Sequence, residues 1–289
     1  MSNNKQKVYN RVNICILLFS AMWFVYAYRN VQELFIEQLN ASLIVLFFSV
    51  VLVHVLKSFR LYFILFGNRI SLKNYWKQYC KVTPISMIFP FKIGELFRMY
   101  CYGYQIENYF RGILIVLMDR FMDTIALITV MFVGGMGNAK QMSELLLVFF
   151  VFLIGCVGFY WSFPNIYQFW LRYLLHAKAT NNKNRMLEII NIANEIYGEL
   201  EKVLKGKGII LYMLSLGAWL VEIGSLLLID YMTNGRIEDT TVADYLNAAL
   251  GGQNFEPLQR FVCVSIVVLV SVYLILRVYE VKHLRKKGN

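Results

Sequence analysis

Between two apolar runs this chain carries Pro90-Phe91-Lys92-Ile93-Gly94-Glu95-Leu96-Phe97-Arg98. Glu95 and Arg98 stand three apart and can pair on one helix face, with Lys92 one turn earlier. A helix that begins near Pro90 points its free N–H groups at the tip of the preceding loop, which suits an anion. Gly94 lets that helix start close to another backbone or to a ligand. Further on, Asp119 and Asp123 stand four apart and share a helical face. Arg120 stands three before Asp123 and can pair with it. Arg also suits bidentate contact with a phosphate. The cluster either neutralises itself as a structural staple or holds Arg120 ready for a phosphate, and the two roles are compatible.

Other ionisable residues also fall inside apolar runs. His54, Lys57 and Arg60 recur at three-residue intervals, which reads as a basic stripe down one side of a helix. Trp219 and Glu222 stand three apart, and Glu222 needs a partner, for which His54, Lys57 and Arg120 are the candidates. These five residues, His54, Lys57, Arg60, Trp219 and Glu222, are expected to line a cavity open to the cytoplasmic side. No hydrolytic triad, phosphate-cradling glycine loop or metal-ligand cluster is legible. Gly134-Gly135-Met136-Gly137 lacks the strand–turn–helix context that a phosphate loop requires. No catalytic residue, metal or cofactor is therefore expected.

The elements that position these groups read as membrane helices. The chain has 289 residues, of which 58% are hydrophobic, and a mean hydropathy of +0.51. Soluble domains run at about 45–50% apolar. Six spans are expected, over about 12–28, 42–66, 112–134, 144–163, 208–232 and 260–279, making one polytopic domain over 1–289. The segment 71–105 contains Trp76, Tyr79, Pro84 and Pro90. It is too broken for a span and too apolar for a loop, so it reads as a re-entrant helical hairpin shaped by Pro90 and Gly94. Apolar residues at helical spacing from Met186 to Leu204 predict an amphipathic helix over about 184–205. That helix either lies at the cytoplasmic interface or packs on the bundle. The five cysteines are far apart and read as apolar fillers.

The net charge of +11 follows the same logic. Lys and Arg gather in loops that fall on one side if both termini are cytoplasmic and 71–105 enters and leaves from that side. The basic balance is thus a positive-inside bias, and no nucleic-acid partner is expected. An N-in, C-in protein of a bacterial-type cytoplasmic membrane is the expected setting.

Pro90-x-Lys92-x-Gly94-Glu95-x-x-Arg98, followed by Asp119-Arg120-x-x-Asp123, resembles the membrane-domain family of lysylphosphatidylglycerol synthases. That family includes stand-alone members described as flippase-like. Arg60 and Trp219-x-x-Glu222 match it more loosely, and the resemblance covers roughly Asn13–Tyr279. Family members often carry a second re-entrant motif, which Leu250-Gly-Gly-Gln-Asn-Phe-Glu-Pro257 matches poorly. The residues show no counterpart of the soluble aminoacyl-transferase domain, so lysyl transfer is not expected of this chain alone.

The resemblance implies a lipid-handling membrane protein. Its expected ligand is an anionic or aminoacylated phospholipid or a polyprenyl-phosphate-linked glycan, moved between leaflets. Lys92, Arg98 and Arg120 would hold the head group, and Glu95, Asp119 and Asp123 would orient those cations or receive a cationic head group. Two rivals stay open. One is the membrane part of a phosphatidylglycerol lysyltransferase system completed by an aminoacyl-transferase partner. The other is an accessory protein of a glycosyltransferase or polysaccharide assembly system. A homodimer is a further expected association.

Overall fold

A computed structural model describes residues 3–27, 40–65, 70–89, 93–135, 144–176, 181–235, 241–249 and 255–287. Every regular element among them is an α-helix. In chain order these are α1 (Asn3–Ala27), α2 (Asn40–Leu65), α3 (Leu72–Ile88), α4 (Ile93–Ile106) and α5 (Tyr109–Gly135). They continue with α6 (Glu144–His176), α7 (Asn181–Leu204), α8 (Gly208–Asn234), α9 (Thr241–Ala249) and α10 (Glu256–Lys287).

Local chemistry sets several of these boundaries. Ser71 caps α3 by accepting from the Asn74 N–H at 3.4 Å. Phe89 is extended, which ends α3 just before Pro90, as the residue before a proline should be. Between α4 and α5, Glu107 takes a left-handed φ of 61° and Asn108 Oδ1 accepts from the Arg111 N–H at 3.0 Å. That tight turn makes α4 and α5 an antiparallel hairpin. Neither internal proline stops its helix: α3 runs through Pro84 and α6 through Pro164. The fourth span, expected to end near Phe163, therefore continues to His176.

Among the described residues, five helices are long and apolar enough to cross a membrane: Gln6–Tyr26, Ala41–Leu65, Phe150–His176, Gly208–Asn234 and Glu256–Glu280. The expected third span, α5, has 27 residues and so has the length. Asp119, Arg120 and Asp123 fall near its middle and interrupt its apolar run. The surface of α6 shows which solvent these helices meet. Only 6% of its apolar stretch is buried, and Phe152, Phe159 and Trp161 stand exposed. An apolar face of that extent is compatible with lipid rather than water. The protein is an all-α, multi-pass membrane protein.

The interior is built around α2 and α8, which pack extensively on each other. Leu61, Tyr75, Tyr79, Tyr102, Val116 and Leu211 join α2, α3, α4, α5 and α8 in one core cluster. Ala126, Trp219, Leu226 and Tyr245 join α5, α8 and α9 in another. The amphipathic helix α7 packs on the bundle at its C-terminal half. There Tyr197 lies against Phe163 of α6 with ring centroids 5.0 Å apart, and Glu199 pairs with Arg111 of α5 at 3.3 Å.

Candidate functional site

The hairpin made by α3 and α4 is held by close backbone approach. A Cβ on Gly94 would collide with the backbone of Ser86 and come within 2.9 Å of the Ile85 carbonyl oxygen. The partner that Gly94 admits is thus the end of α3. The α4–α5 pair uses the same device, because a Cβ on Gly112 would collide with the backbone of Gly103. These contacts set α4 between α3 and α5 and fix which of their side chains meet. Pro90 and Lys92 lie outside the described residues.

A buried ion network follows from that register. Arg60 of α2 is 2% exposed and Asp119 of α5 only 1%. Arg60 Nε donates to Asp119 Oδ1 at 2.8 Å, and its Nη1 donates to Asp123 Oδ1 at 2.6 Å and to Ser215 Oγ at 2.7 Å. Arg98 of α4 donates through Nη2 to the other oxygen of Asp119 at 2.9 Å. Arg98 Nη1 also stands 3.7 Å from Glu95 Oε2. Arg120 completes the set, with Nη2 at 2.6 Å from Glu95 Oε1 and Nη1 at 3.8 Å from Asp123 Oδ2. Three guanidinium groups thus meet three carboxylates, and the cluster is neutral. Charges at membrane depth demand such pairing. Trp219 adds a donor from α8, its Nε1 bonding the Asp123 carbonyl at 3.3 Å.

The six clustered side chains differ sharply in access. Arg120 is 44% exposed, while Arg98, Arg60 and Asp119 are enclosed. Arg120 shares its face of α5 with exposed Ile113 and Leu117, and Leu96 of α4 is exposed as well. Arg98 Nε and Glu95 Oε2 are buried and have no hydrogen-bond partner among the described residues.

The expected basic stripe on α2 does not form. Each three-residue step falls about 60° short of a full helical turn, so His54 and Arg60 diverge by about 120°. The three residues meet three different helices. His54 Nδ1 lies 3.2 Å from Tyr79 Oη of α3. Lys57 pairs with Glu222 of α8 at 3.2 Å and stands over the Trp219 ring at 5.4 Å. Arg60 turns to α5. Among the three candidates, Lys57 is therefore the partner of Glu222. Tyr245 of α9 donates to the other Glu222 oxygen at 2.6 Å.

The expected cavity also differs from the observed one. Of the five residues expected to line it, Glu222 borders a cavity of about 250 Å³ between α2, α8, α9 and α10. Its walls include Leu46, Leu226 and Phe261, and it extends past Asp230 and Asn234 toward the C-terminal end of α8. That is the end of α8 away from Ser215 and the arginine network. His54, Arg60 and Trp219 are buried in helix packing instead.

Ser215 and Tyr245 were not singled out from the sequence. Ser215 carries a legible signal, since it stands four before Trp219 and seven before Glu222 and so shares their face of α8. Tyr245 carries none, because its partner is brought to it only by the packing of α9 on α8.

A lipid-embedded helical bundle with a self-neutralised arginine–carboxylate network defines a class of polytopic membrane protein. Within that class, a family model described as the lysylphosphatidylglycerol synthase TM region matches residues 13–250. The chain belongs to that family. The match ends at Leu250. Neither the curated proteins nor the solved structures compared with the chain give a match.

Proposed function

We propose that this protein binds the polar head group of an anionic or aminoacylated phospholipid, or of a polyprenyl-phosphate-linked glycan, and assists its passage between leaflets. The observation that carries the reading is Arg120. A cation that is 44% exposed stands beside the outward-facing apolar side chains Leu117 and Leu96. An arginine in that position costs free energy unless an anion is at hand. Glu95 serves at rest, and a lipid phosphate can replace it, because Arg98 stands behind Glu95 to take up the carboxylate.

The roles divide accordingly. Arg120 and Glu95 meet the head group. Arg98, Asp119, Asp123 and Arg60 are positioning residues that hold α4, α5 and α2 in register. α3 and α4 have 17 and 14 residues, short of the roughly 20 needed to cross a hydrocarbon core. We take them as a re-entrant pair, with both termini cytoplasmic and α5 crossing as a sixth span. In that arrangement Arg120 lies part-way through the membrane, where a head group must pass.

The test is leaflet transfer of a fluorescent phosphatidylglycerol in vesicles carrying the purified protein. Arg120→Ala leaves Glu95 its contact with Arg98, so the fold should melt as the parent does while transfer falls about tenfold or more, as expected for one lost charge-assisted contact. Undiminished transfer by Arg120→Ala overturns the reading.

A further inference from the structure

Three lysines of α3, Lys73, Lys77 and Lys81, stand four apart. A four-residue step overshoots a full turn by only about 40°, so the three form a stripe descending about 12 Å along the helix. The first two, Lys73 and Lys77, have partners on α10. Lys73 Nζ stands over the Tyr279 ring at 5.1 Å, and Lys77 Nζ donates to Glu280 at 2.5 Å. Arg277 shares that same carboxylate at 3.7 Å.

Lys81 is different. It is half-buried, and its Nζ donates to Asn13 Oδ1 of α1 at 2.6 Å. The ammonium stands over the rings of Tyr9 and Phe97, at 5.1 Å and 5.9 Å. Among the described residues no carboxylate pairs with it, and the charged groups nearest along the stripe, Lys77 and Arg277, are cations. Three cations, Lys77, Arg277 and Lys73, thus surround the single carboxylate of Glu280, and Lys81 has none. The cage is also fixed in place. Asn13 Nδ2 donates to the Tyr9 carbonyl at 2.8 Å, which aims its own carbonyl at Lys81, and Tyr9 stacks on Tyr104 at 3.7 Å. Among the described residues this half-buried ammonium has one hydrogen-bond acceptor for its three N–H donors, which leaves two for water or an anion.

We propose that Lys73, Lys77 and Lys81 form an anion track along α3 that ends at Lys81, and that its ligand is the phosphate of an anionic head group. The track is separate from Arg120. Lys81 faces α1, whereas Arg120 meets Glu95 on α4 and looks outward from α5. A lipid phosphate and a soluble phosphate ester offer the same chemistry, and the experiment tells them apart.

Binding is measured on the full chain in neutral detergent by native mass spectrometry, in the Arg120→Ala background so that the other site is silent. The probes are short-chain phosphatidylglycerol, short-chain phosphatidylcholine and glycerol 3-phosphate. Phosphatidylglycerol should bind about tenfold or more tightly than phosphatidylcholine, and Lys81→Met should remove that preference while Lys81→Arg keeps it. Met keeps the aliphatic bulk but takes the donor from buried Asn13 Oδ1, so the melting temperature is read alongside and the preference is scored on folded protein. Equal competition by glycerol 3-phosphate keeps the site and assigns it a soluble ester. Two results overturn the proposal: loss of binding in the Arg120→Ala background itself, or an undiminished preference in Lys81→Met.

Discussion

Arg60 is the residue on which the network turns. It alone bonds both Asp119 and Asp123, and it reaches Ser215 on a third helix. Arg60→Ala leaves Asp123 with only the long contact to Arg120, and removes half the compensation of Asp119. Breaking a buried pair from one side costs about 3–5 kcal/mol. A lowered melting temperature in detergent should report it, and Arg60→Lys should recover only part, since one ammonium cannot reproduce the forked contacts. Lys57 gives a contrasting case. At 22% exposure it neutralises Glu222, which is 4% exposed. Lys57→Met should therefore destabilise the parent, while Lys57→Met with Glu222→Gln should restore most of the loss, because no unpaired charge is left. Equal melting temperatures for the single and double variants would count against the pair. The partners of these residues were partly legible. The Glu95–Arg98 and Arg120–Asp123 spacings pointed to contacts that exist, but both are long, at 3.7 Å and 3.8 Å. The short contacts join residues distant in the chain, and no local spacing announces those.

At the scale of elements, glycine sets the geometry. Gly94 against Ser86 and Gly112 against Gly103 leave no room for a methyl group, and the obstructing atoms are backbone. Gly112→Ala should push α4 from α5 and cost about 1–3 kcal/mol. The same shift should lengthen the Arg98–Asp119 and Arg120–Glu95 contacts, so transfer activity should fall further than stability alone explains. Comparing the two losses with those of a control such as Gly155→Ala, which meets nothing within 4 Å, checks this. The helix pattern itself was readable from hydropathy, with two departures. Pro164 sits inside α6, so proline was a poor stop signal there. Tyr245 and Leu246 belong to α9, whose nine residues give too short a pattern to identify alone.

At the scale of the molecule, the charged loops and the buried network meet in one arrangement. If α3 and α4 enter and leave from the cytoplasm, α1 begins and α10 ends on that side. Single cysteines placed at Gln6 and Lys282 of a cysteine-free background should then react with a membrane-impermeant thiol reagent in inside-out vesicles. They should stay unlabelled in right-side-out vesicles. Labelling of the two sites from opposite sides would show that the 71–105 region crosses fully or that α5 does not.

The sequence by itself determined the solvent, the long helices and the family. Hydropathy and loop charge depend on composition along the chain, and Gly94-Glu95-x-x-Arg98 with Asp119-Arg120-x-x-Asp123 is a linear pattern. Tertiary structure alone decided which charges meet. Arg60 reaches Asp119 across 59 positions and Lys57 reaches Glu222 across 165. It also decided which cation is enclosed and which is open, since Arg98 and Arg120 have the same side chain and opposite exposure. The physical reason is that pairing at membrane depth is a matter of helix register and rotation. Those are fixed by backbone contact between helices, at Gly94 and Gly112, rather than by anything within one helix.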